Sequence, residues 1–428
     1  MANIKPFKAL RFNTKIAGNI KDLVSPPYDI INDKQYKNYI DSSEFNIVRL
    51  GLPKGINPYN NAKHLLNEWI KNGILKKDEQ DSIYIYEEEF NLSGQNKKIR
   101  GFICLVKLEE FSKKIILPHE ETLSKAKEDR LNLLKSTSCN FSQIYSLYID
   151  EQNKTTSIIN TACARRPNIE TTDSEHLTHR IWQITDKNII DNLSKQFANK
   201  KLYIADGHHR YETAINYRNY LRENNIIKNE SPANYTMMML VNIADEGLVV
   251  FPTHRLIKNI NNFNSDEVIY KCRPYFEIEQ KNNIHTINEE LKILYNENKK
   301  AFAFYCGEKK WTLLKLKNNI NIKELIPNCS ESLLNLDVTI LHNLILDKAF
   351  GINKENMKNQ SNLSYTRSIN EAIESVDNKA FQCAFILNPT RVTEIIDVAL
   401  AGEKMPQKST YFYPKLITGL IMNQIDLN

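Results

Sequence analysis

Apolar residues recur at two spacings along the chain, one typical of helices and one typical of strands. In residues 61–70, NAKHLLNEWI, the leucines, tryptophan and isoleucine fall on one helical stripe, and Gly73 follows where a left-handed cap would end the helix. The stretch Asp337–Phe350 has the same periodicity, with Asp337 as its expected N-cap and Gly351 after its end. These patterns predict two amphipathic helices.

Runs rich in β-branched and aromatic residues predict two hairpins. Ser82–Tyr86 and Ile99–Val106 flank the turn-forming residues Ser93–Asn96, and a second hairpin over Ala301–Leu316 turns at Gly307–Lys310. Because helical and strand signals alternate throughout, the predicted fold class is mixed, α/β to α+β.

Composition limits the function more than the fold. The 428 residues, 41% apolar and 25% charged, are typical of a globular protein of about two or three domains. The 12 glycines form neither a Walker A loop nor a G-x-G-x-x-G motif. A standard P-loop nucleoside triphosphatase, a glycine-rich kinase loop and a dinucleotide-binding Rossmann fingerprint are therefore excluded. Polar stretches at Asp150–Lys154 and Asn259–Asp266 are the candidate domain boundaries.

Charge and cysteine content indicate the compartment. The formal net charge of +6 comes from scattered basic residues, so no nucleic-acid partner is expected. The seven cysteines contain no C-x-x-C pair, which favours a reducing cytosol. No apolar run is long enough for a signal peptide or a membrane span. We expect a soluble cytoplasmic protein without a membrane partner.

The strongest chemical signal is the string I-A-D-G-H-H-R-Y-E-T-A, in which an apolar strand ends at Asp206-Gly207 and a helical pattern begins. A helix start leaves free backbone N–H groups, and its dipole favours an anion. Arg210 can grip two phosphate oxygens, and His208 or His209 can donate or relay a proton. Replacing Arg210 by alanine is expected to leave the fold intact, because a turn arginine is exposed. The alternative is that Asp206 only caps the helix and that both histidines are surface residues.

A second cluster follows the predicted strand Lys114–Leu117. His119-Glu120 resembles the start of a zinc-protease H-E-x-x-H motif, but position 123 is leucine, so a metalloprotease is excluded. The two side chains could supply a general base or hold magnesium. A capped helix with charge pairs four residues apart explains the same pattern.

Three further segments carry polar or charged residues outside an obvious packing pattern. Their candidate residues are Tyr28 and Asp29 in S-P-P-Y-D, His254 and Arg255 in F-P-T-H-R, and Lys408, Ser409, Thr410 and Lys415 in the loop from residue 404 to 415. Each could instead be an ordinary loop. Three histidines, His179, His209 and His254, directly adjoin an arginine, and charge repulsion is expected to keep such imidazoles neutral.

These motifs resemble a known family. S-P-P-Y-D, P-H-E-x-T with a following D-R, I-A-D-G-H-H-R-Y-E-T-A, P-T-H-R and M-P-x-K-S-T-Y-F-Y-P-K-L are similar to the bacterial and archaeal family numbered one thousand and fifteen among the domains of unknown function, from about Lys5 to about Gly419. The segment from Arg180 to about Arg218 also resembles the ParB/sulfiredoxin superfamily. That resemblance implies a nucleotide-binding core at 177–262, between an N-terminal α/β region at 1–176 and a C-terminal α+β region at 263–428.

The superfamily includes sulfiredoxin, CTP-binding ParB proteins and kinases of free serine. No cysteine lies between Cys163 and Cys272, which argues against sulfur chemistry. The resemblance therefore implies a phosphotransferase that moves a phosphoryl group between ATP or ADP and a small hydroxy amino acid, most plausibly serine or phosphoserine, with Mg²⁺ on the nucleotide.

The expected site follows from that reaction. Catalytic roles fall to Asp206, His208, His209, Arg210, Glu120 and His119. Nucleotide-binding roles fall to Gly207, Arg210, His254, Arg255, Lys408, Ser409, Thr410 and Lys415. Substrate-binding roles fall to Tyr28, Asp29, Thr122 and Arg130, and the magnesium ligands would be Asp206 and Glu120. Glu120 or Asp29 would accept the hydroxyl proton.

Two other functions fit the same residues. One is hydrolysis of phosphoserine, with a histidine protonating the leaving oxygen. The other is a non-catalytic nucleotide-sensing module that regulates a partner. The oligomeric state is left open.

Overall fold

The computed structural model describes residues 1–122, 124–228, 230–359, 361–406 and 408–427. Its strands are β1 (Ile4–Lys5), β2 (Leu10–Phe12), β3 (Leu75–Lys77), β4 (Ile83–Leu92), β5 (Gln95–Lys107), β6 (Ile116–Leu117), β7 (Cys139–Asn140), β8 (Ile144–Tyr148), β9 (Ile169–Thr172), β10 (Thr178–Ile184), β11 (Leu202–Asp206), β12 (Tyr235–Asn242), β13 (Val249–Phe251), β14 (His254–Ile257), β15 (Phe276–Lys281), β16 (Ala301–Tyr305), β17 (Trp311–Leu316), β18 (Leu363–Thr366), β19 (Cys383–Ile386), β20 (Tyr411–Tyr413) and β21 (Asn423–Gln424).

The α-helices are α1 (Thr14–Ala17), α2 (Ile20–Leu23), α3 (Asp33–Ser42), α4 (Val48–Gly51), α5 (Pro58–Lys71), α6 (Ser124–Thr137), α7 (Lys154–Ala162), α8 (Lys187–Phe197), α9 (His208–Glu223), α10 (Ser265–Cys272), α11 (Ile284–Asn296), α12 (Ile322–Leu325), α13 (Glu331–Leu334), α14 (Asp337–Ile340), α15 (Lys348–Phe350), α16 (Lys354–Asn359), α17 (Ile369–Asp377) and α18 (Val392–Ala401). A π-helical section, Leu341–Asp347, joins α14 to α15. The mixed α/β class predicted from the sequence is confirmed.

The locally predicted elements are also confirmed, with one correction. Helix α5 covers the predicted helix, β4 pairs with β5, and β16 pairs with β17, as the hairpin patterns indicate. The helix predicted over Asp337–Phe350 is helical throughout, but Leu336 is its N-cap and Asp337 lies in the first turn. Gly351 ends it in the left-handed conformation, at φ 70°. The prediction of Asp337 as the N-cap is therefore wrong by one residue.

The chain forms two compact units. The first contains Met1–Pro118, Thr122–Val249 and Pro414–Asn428, and the second contains His119–Glu121 and Val250–Tyr413. The finer division into 1–176, 177–262 and 263–428 stays a prediction.

The first unit is built on a large mixed sheet. Within the described residues it has nine strands in the order β6-β11-β8-β12-β5-β4-β10-β9, with β1 added to β5. Strand β11 runs parallel to β6 and antiparallel to β8, and Asp206 stands opposite Tyr145 at the end of that ladder. Apolar residues of α8 and α9, among them Leu193 and Tyr211, pack with the sheet in one core.

The second unit is built on an antiparallel sheet. In the described part of the chain it has six strands in the order β15-β17-β16-β19-β14-β18. Residues from α11 and α17, including Leu291 and Ala372, pack with Ala303 of β16 and Leu256 of β14 in its core. Because β14 lies between two strands and is buried along its whole length, the polar side chains that it carries are interior ones.

Two properties expected from composition can be compared with the structure. All seven cysteines are free thiols. No helix among the described residues is long and apolar enough to cross a membrane.

Candidate functional site

The predicted strand-turn-helix junction is present where β11 meets α9. Gly207 is the N-cap of α9, in the left-handed region at φ 94°, and as a glycine it has no side chain to cap the helix start. Asp206 is therefore not a helix cap, in contrast to the alternative interpretation of the sequence. His208 is only 4% exposed, so it is not a surface residue either.

The carboxylate of Asp206 binds two cations instead. Arg210 Nη2 donates to Asp206 Oδ2 at 2.6 Å, and the ammonium group of Lys415 donates to Oδ1. Burial works to raise the pKa of Asp206, but Lys415 and Arg210 outweigh it and hold that pKa well below its ordinary value. Asp206 is thus ionised, and both of its oxygens are engaged.

Arg210 is more deeply anchored than the sequence predicted. Its side chain is only 13% exposed, and its Nη1 donates to Ser142 Oγ at 3.2 Å and to the carbonyl oxygen of Gln143. A Cβ atom at position 207 would lie 2.9 Å from Arg210 Nε. Position 207 therefore requires glycine for two reasons. Glycine adopts a positive φ without strain, and it lacks the Cβ atom that would collide with the guanidinium group. The prediction of an exposed turn arginine is wrong, because the β11–α9 turn folds over it.

A second arginine lies against an aromatic ring. The Arg130 guanidinium stands 4.0 Å from the ring centre of Tyr28, donates to the Gly51 carbonyl at 2.6 Å and pairs with Asp129 at 2.5 Å. Burial and, to a smaller extent, Asp29 raise the pKa of Tyr28 to about 12. Tyr28 is therefore a neutral phenol at physiological pH and can donate a hydrogen bond.

Tyr28, Arg130 and Arg210 line a small cavity of the first unit, with a volume of about 70 Å³. Its polar lining includes Tyr28, Arg130, Arg210, Ser142 and Thr418. The Thr418 hydroxyl is buried and has no hydrogen-bond partner among the described residues. The volume is roughly twice the share of one water molecule, about 30 Å³.

Two other predicted residues of this unit have different surroundings. The Thr122 hydroxyl donates to Glu212 Oε2 on α9 at 2.9 Å, and Lys127 Nζ donates to the same oxygen at 2.7 Å. Asp29 is exposed in the short 3₁₀ turn Tyr28–Ile30. Thr122 thus braces α9, whereas Asp29 faces solvent.

The predicted residues of the second unit form a group of their own. His119 Nε2 lies 3.1 Å from Thr410 Oγ1, and the backbone N–H of Lys408 donates to Glu120 Oε1 at 3.2 Å. Ser409 donates to the Pro406 carbonyl at 2.6 Å. The P-H-E segment and the M-P-x-K-S-T loop therefore pair with each other, which neither motif indicates alone.

His179 and His254 each adjoin an arginine, but their pKa values are shifted in opposite directions. Burial, together with the neighbouring Arg255, lowers the pKa of His254 to about 4, which confirms a neutral imidazole there. His179 contradicts the prediction. Burial lowers the pKa of His179, but hydrogen bonds to Asp173 and Glu88 outweigh burial and raise it to about 9. Carboxylates from other segments, not the adjoining arginine, decide its charge.

The described residues do not fit a magnesium site of their own. Protein-bound Mg²⁺ needs carboxylate or other oxygen ligands in octahedral geometry. No group of three or more His, Cys, Asp or Glu side chains in the described part of the chain is arranged to hold a metal ion. Asp206 has both oxygens on cations, and Glu120 Oε1 accepts the Lys408 N–H. The ligand roles expected for Asp206 and Glu120 have no support in this geometry.

Sequence reasoning missed three residues of the site. Glu212 lies inside the D-G-H-H-R-Y-E string and could have been chosen as a charge on the same helix. Ser142 and Thr418 carry no local signal. Thr418 reaches the cavity through an antiparallel bridge to Ser25, a pairing between the two ends of the chain.

Fold and site together define a mixed α/β protein with a cationic cavity at a strand-turn-helix junction. The sequence profile of the family described as protein of unknown function (DUF1015) matches residues 4–339, and the chain belongs to this family. No curated protein matches the chain.

Similar solved structures include a free serine kinase in complex with AMP, at 13% identity, 74% coverage of this chain, 90% of that chain and a TM-score of 0.38. A conserved hypothetical protein from Pyrococcus furiosus has 14% identity, coverages of 74% and 94%, and a TM-score of 0.35. SbnI with a C-terminal truncation, from Staphylococcus aureus, has 9% identity, coverages of 75% and 87%, and a TM-score of 0.36.

Proposed function

We propose that this protein transfers a phosphoryl group between a nucleotide, ATP or ADP, and the hydroxyl of a small amino acid, free serine. One observation carries the proposal: a single ionised carboxylate, Asp206, holds Arg210 and Lys415 together at the start of α9. The start of a helix and two fixed cations form a binding site for an anion.

The charges around the cavity support a phosphoryl group as that anion. Arg210 and Lys415 together carry one positive charge more than Asp206 can balance. Arg130 lines the same cavity, although Asp129 neutralises it. The Tyr28 hydroxyl and the buried Thr418 hydroxyl add neutral donors. Phosphoryl transfer needs mainly such positioning and charge stabilisation.

The residues of this chain then take defined roles. Arg210 and Lys415 hold the equatorial oxygens of the transferring group, and the first N–H groups of α9 bind it from the helix side. The serine oxygen forms the new bond to phosphorus while the bond to the leaving nucleotide oxygen breaks. The proton of the serine hydroxyl passes to a carboxylate, for which Asp29, exposed beside Tyr28, is the candidate.

The test is a direct assay of the full chain. Incubation with L-serine and the magnesium salt of ATP or ADP should produce O-phosphoserine, detected by phosphorus NMR and mass spectrometry. Lys415→Met should lose at least ~100-fold of the rate, because removal of one preorganised charge costs about 3 kcal/mol. Lys63→Met, at an exposed position of α5, is the matched control and should retain full activity.

Two further outcomes decide between functions. Release of inorganic phosphate from phosphoserine without nucleotide would identify a hydrolase instead. Nucleotide binding measured by calorimetry, without turnover of any hydroxy amino acid, would identify a sensing module. Either result would reject the phosphotransfer proposal.

A further inference from the structure

The second unit contains a larger cavity that the proposed reaction does not use. Its volume is about 270 Å³, roughly nine times the ~30 Å³ share of a water molecule. The residues that line it are Glu121, Cys329, Leu333, Thr339, His342, Asn343, Asp347, Met357, Tyr365, Lys404 and Pro406. Lys404 and Asp347 are exposed, whereas Thr339 and His342 are 3% and 4% exposed. The cavity therefore runs from the surface into the interior.

A buried arginine stands behind the inner wall of this cavity. Arg255, on β14, is 0% exposed, and no carboxylate pairs with it among the described residues. Burial lowers its pKa to about 10, so the guanidinium group is still charged at neutral pH. Its neighbours are His342, the Thr253 carbonyl and the ring of Tyr365, whose centre lies 5.2 Å away. A buried cation without a counter-charge is unfavourable unless an anion approaches it.

His342 connects Arg255 to the cavity, because it contacts Arg255 and also lines the cavity. Arg255 Nε and Nη2 lie 3.3 Å and 3.2 Å from His342 Nε2, so this nitrogen is the acceptor. Arginine has no acceptor, so the neutral imidazole must carry its proton on Nδ1. Burial, with a contribution from Arg255, keeps the pKa of His342 well below its ordinary value. His342 lies in the π-helical section, a local irregularity often found at functional sites.

Neutral hydroxyl groups complete the inner wall. The Thr339 hydroxyl is buried and has no hydrogen-bond partner in the part of the chain that the structure describes. The Tyr365 phenol is kept neutral, because burial raises its pKa. The Asn343 amide donates to the Thr339 carbonyl at 2.8 Å, which leaves its side-chain oxygen as an acceptor. The wall thus combines donors near Arg255 with one acceptor.

The outer part of the cavity carries charged side chains, whereas the inner wall is lined by neutral ones. Glu121 and Asp347 supply two negative charges and Lys404 supplies one positive charge. When the positive charge of Arg255 is included, the two negative and two positive charges sum to zero. A ligand with a single negative charge would be attracted by the inner wall but would have to enter past two carboxylates. A zwitterion satisfies both regions.

We propose that this cavity binds a small zwitterion of the α-amino-acid type, with its carboxylate at His342 and Thr339 and its ammonium group toward Asp347 and Glu121. The bound carboxylate accepts hydrogen bonds from His342 Nδ1–H and from the Thr339 and Tyr365 hydroxyls, and it balances the charge of Arg255. The ammonium group donates to the Asn343 oxygen and to the acidic side chains. The cavity shares no lining residue with the one at α9, and the proposal does not rest on phosphotransfer.

Calorimetric titration of the full chain, without nucleotide, tests the proposal. The standard L-α-amino acids are titrated one at a time, and each ligand that binds is compared with its decarboxylated amine and with its deaminated acid. We expect at least one amino acid to bind, and both truncated analogues to bind at least tenfold more weakly, because each leaves one charged region unpaired. No binding by any amino acid, or equal binding by either analogue, would overturn the proposal.

Matched variants locate the site. Thr339→Val and Tyr365→Phe each remove one hydroxyl, and the loss of a hydrogen bond to a carboxylate should weaken binding about tenfold. Thr339→Ser keeps the hydroxyl and should bind like the original chain. Thr312→Val is the control, because its hydroxyl bonds to Gln280 at 3.2 Å and does not line the cavity. Unchanged affinity in both Thr339→Val and Tyr365→Phe would reject this location.

Discussion

Lys415 follows Asp206 by 209 positions in the chain, yet its ammonium group binds Asp206 Oδ1. The other oxygen of the same carboxylate accepts from Arg210 at 2.6 Å. One negative side chain therefore holds a helix residue and a C-terminal residue in place. The carboxylate is the positioning group of the candidate site, and the two cations are the groups available to an anion.

Replacement of this carboxylate should destabilise the protein strongly. Asp206→Asn keeps the shape of the side chain but leaves Arg210 and Lys415 without a counter-charge, and breaking such a buried pair costs about 3 to 5 kcal/mol. The free energy of unfolding measured with urea checks this. Asp33→Asn is the control, because the Asp33 side chain, which pairs with Lys54 at 2.6 Å, is 98% exposed, and its replacement should change nothing measurable. Equal effects of the two substitutions would contradict the role given to Asp206.

Gly207 should tolerate alanine less well than another glycine with the same backbone conformation. Gly207 (φ 94°, ψ 28°) and Gly402 (φ 76°, ψ 17°) both lie in the left-handed region, but a Cβ at Gly402 has nothing within 4 Å, whereas a Cβ at Gly207 meets Arg210. Gly402→Ala should cost about 1 to 2 kcal/mol from backbone strain alone. Gly207→Ala should cost more and should also weaken phosphate binding, measured by calorimetry. Identical losses of stability, with phosphate binding unchanged in both variants, would show that Arg210 is not held by this turn.

His179 should make the first unit less stable in alkali. Its pKa of about 9 lies above the ordinary 6.5, because Asp173 and Glu88 favour its charged form. The stabilisation is therefore complete below pH 6.5 and is lost as the pH rises through about 9. The shift corresponds to on the order of 3 kcal/mol. Unfolding free energies across this range should fall in the original chain and stay flatter in His179→Gln. Parallel pH profiles would contradict the assignment.

Local patterns were enough to predict much of the fold, and long-range pairing explains what they missed. The β4–β5 hairpin and the strand-turn-helix at Asp206 follow from spacing over a few residues. Lys415, one of the two partners of Asp206, lies near the C-terminal end of the chain, and no local sequence pattern indicates this pairing. The same limit applies to charge. His179 and His254 each adjoin an arginine, but hydrogen bonds to Asp173 and Glu88 raise the pKa of His179, whereas burial lowers that of His254.

The second unit should lose stability on the acid side of neutrality, the opposite of the His179 effect. His254, 1% exposed on β14, has a pKa of about 4 against an ordinary 6.5, because burial and Arg255 disfavour its charged form. The unfolded chain binds a proton near pH 6.5, whereas the folded chain resists protonation until about pH 4. Stability is therefore complete above pH 6.5 and falls as the pH drops toward 4, by on the order of 3 kcal/mol. His254→Gln cannot ionise, so its unfolding free energy should change less across this interval, and an unaltered acid dependence in that variant would assign the effect to other groups.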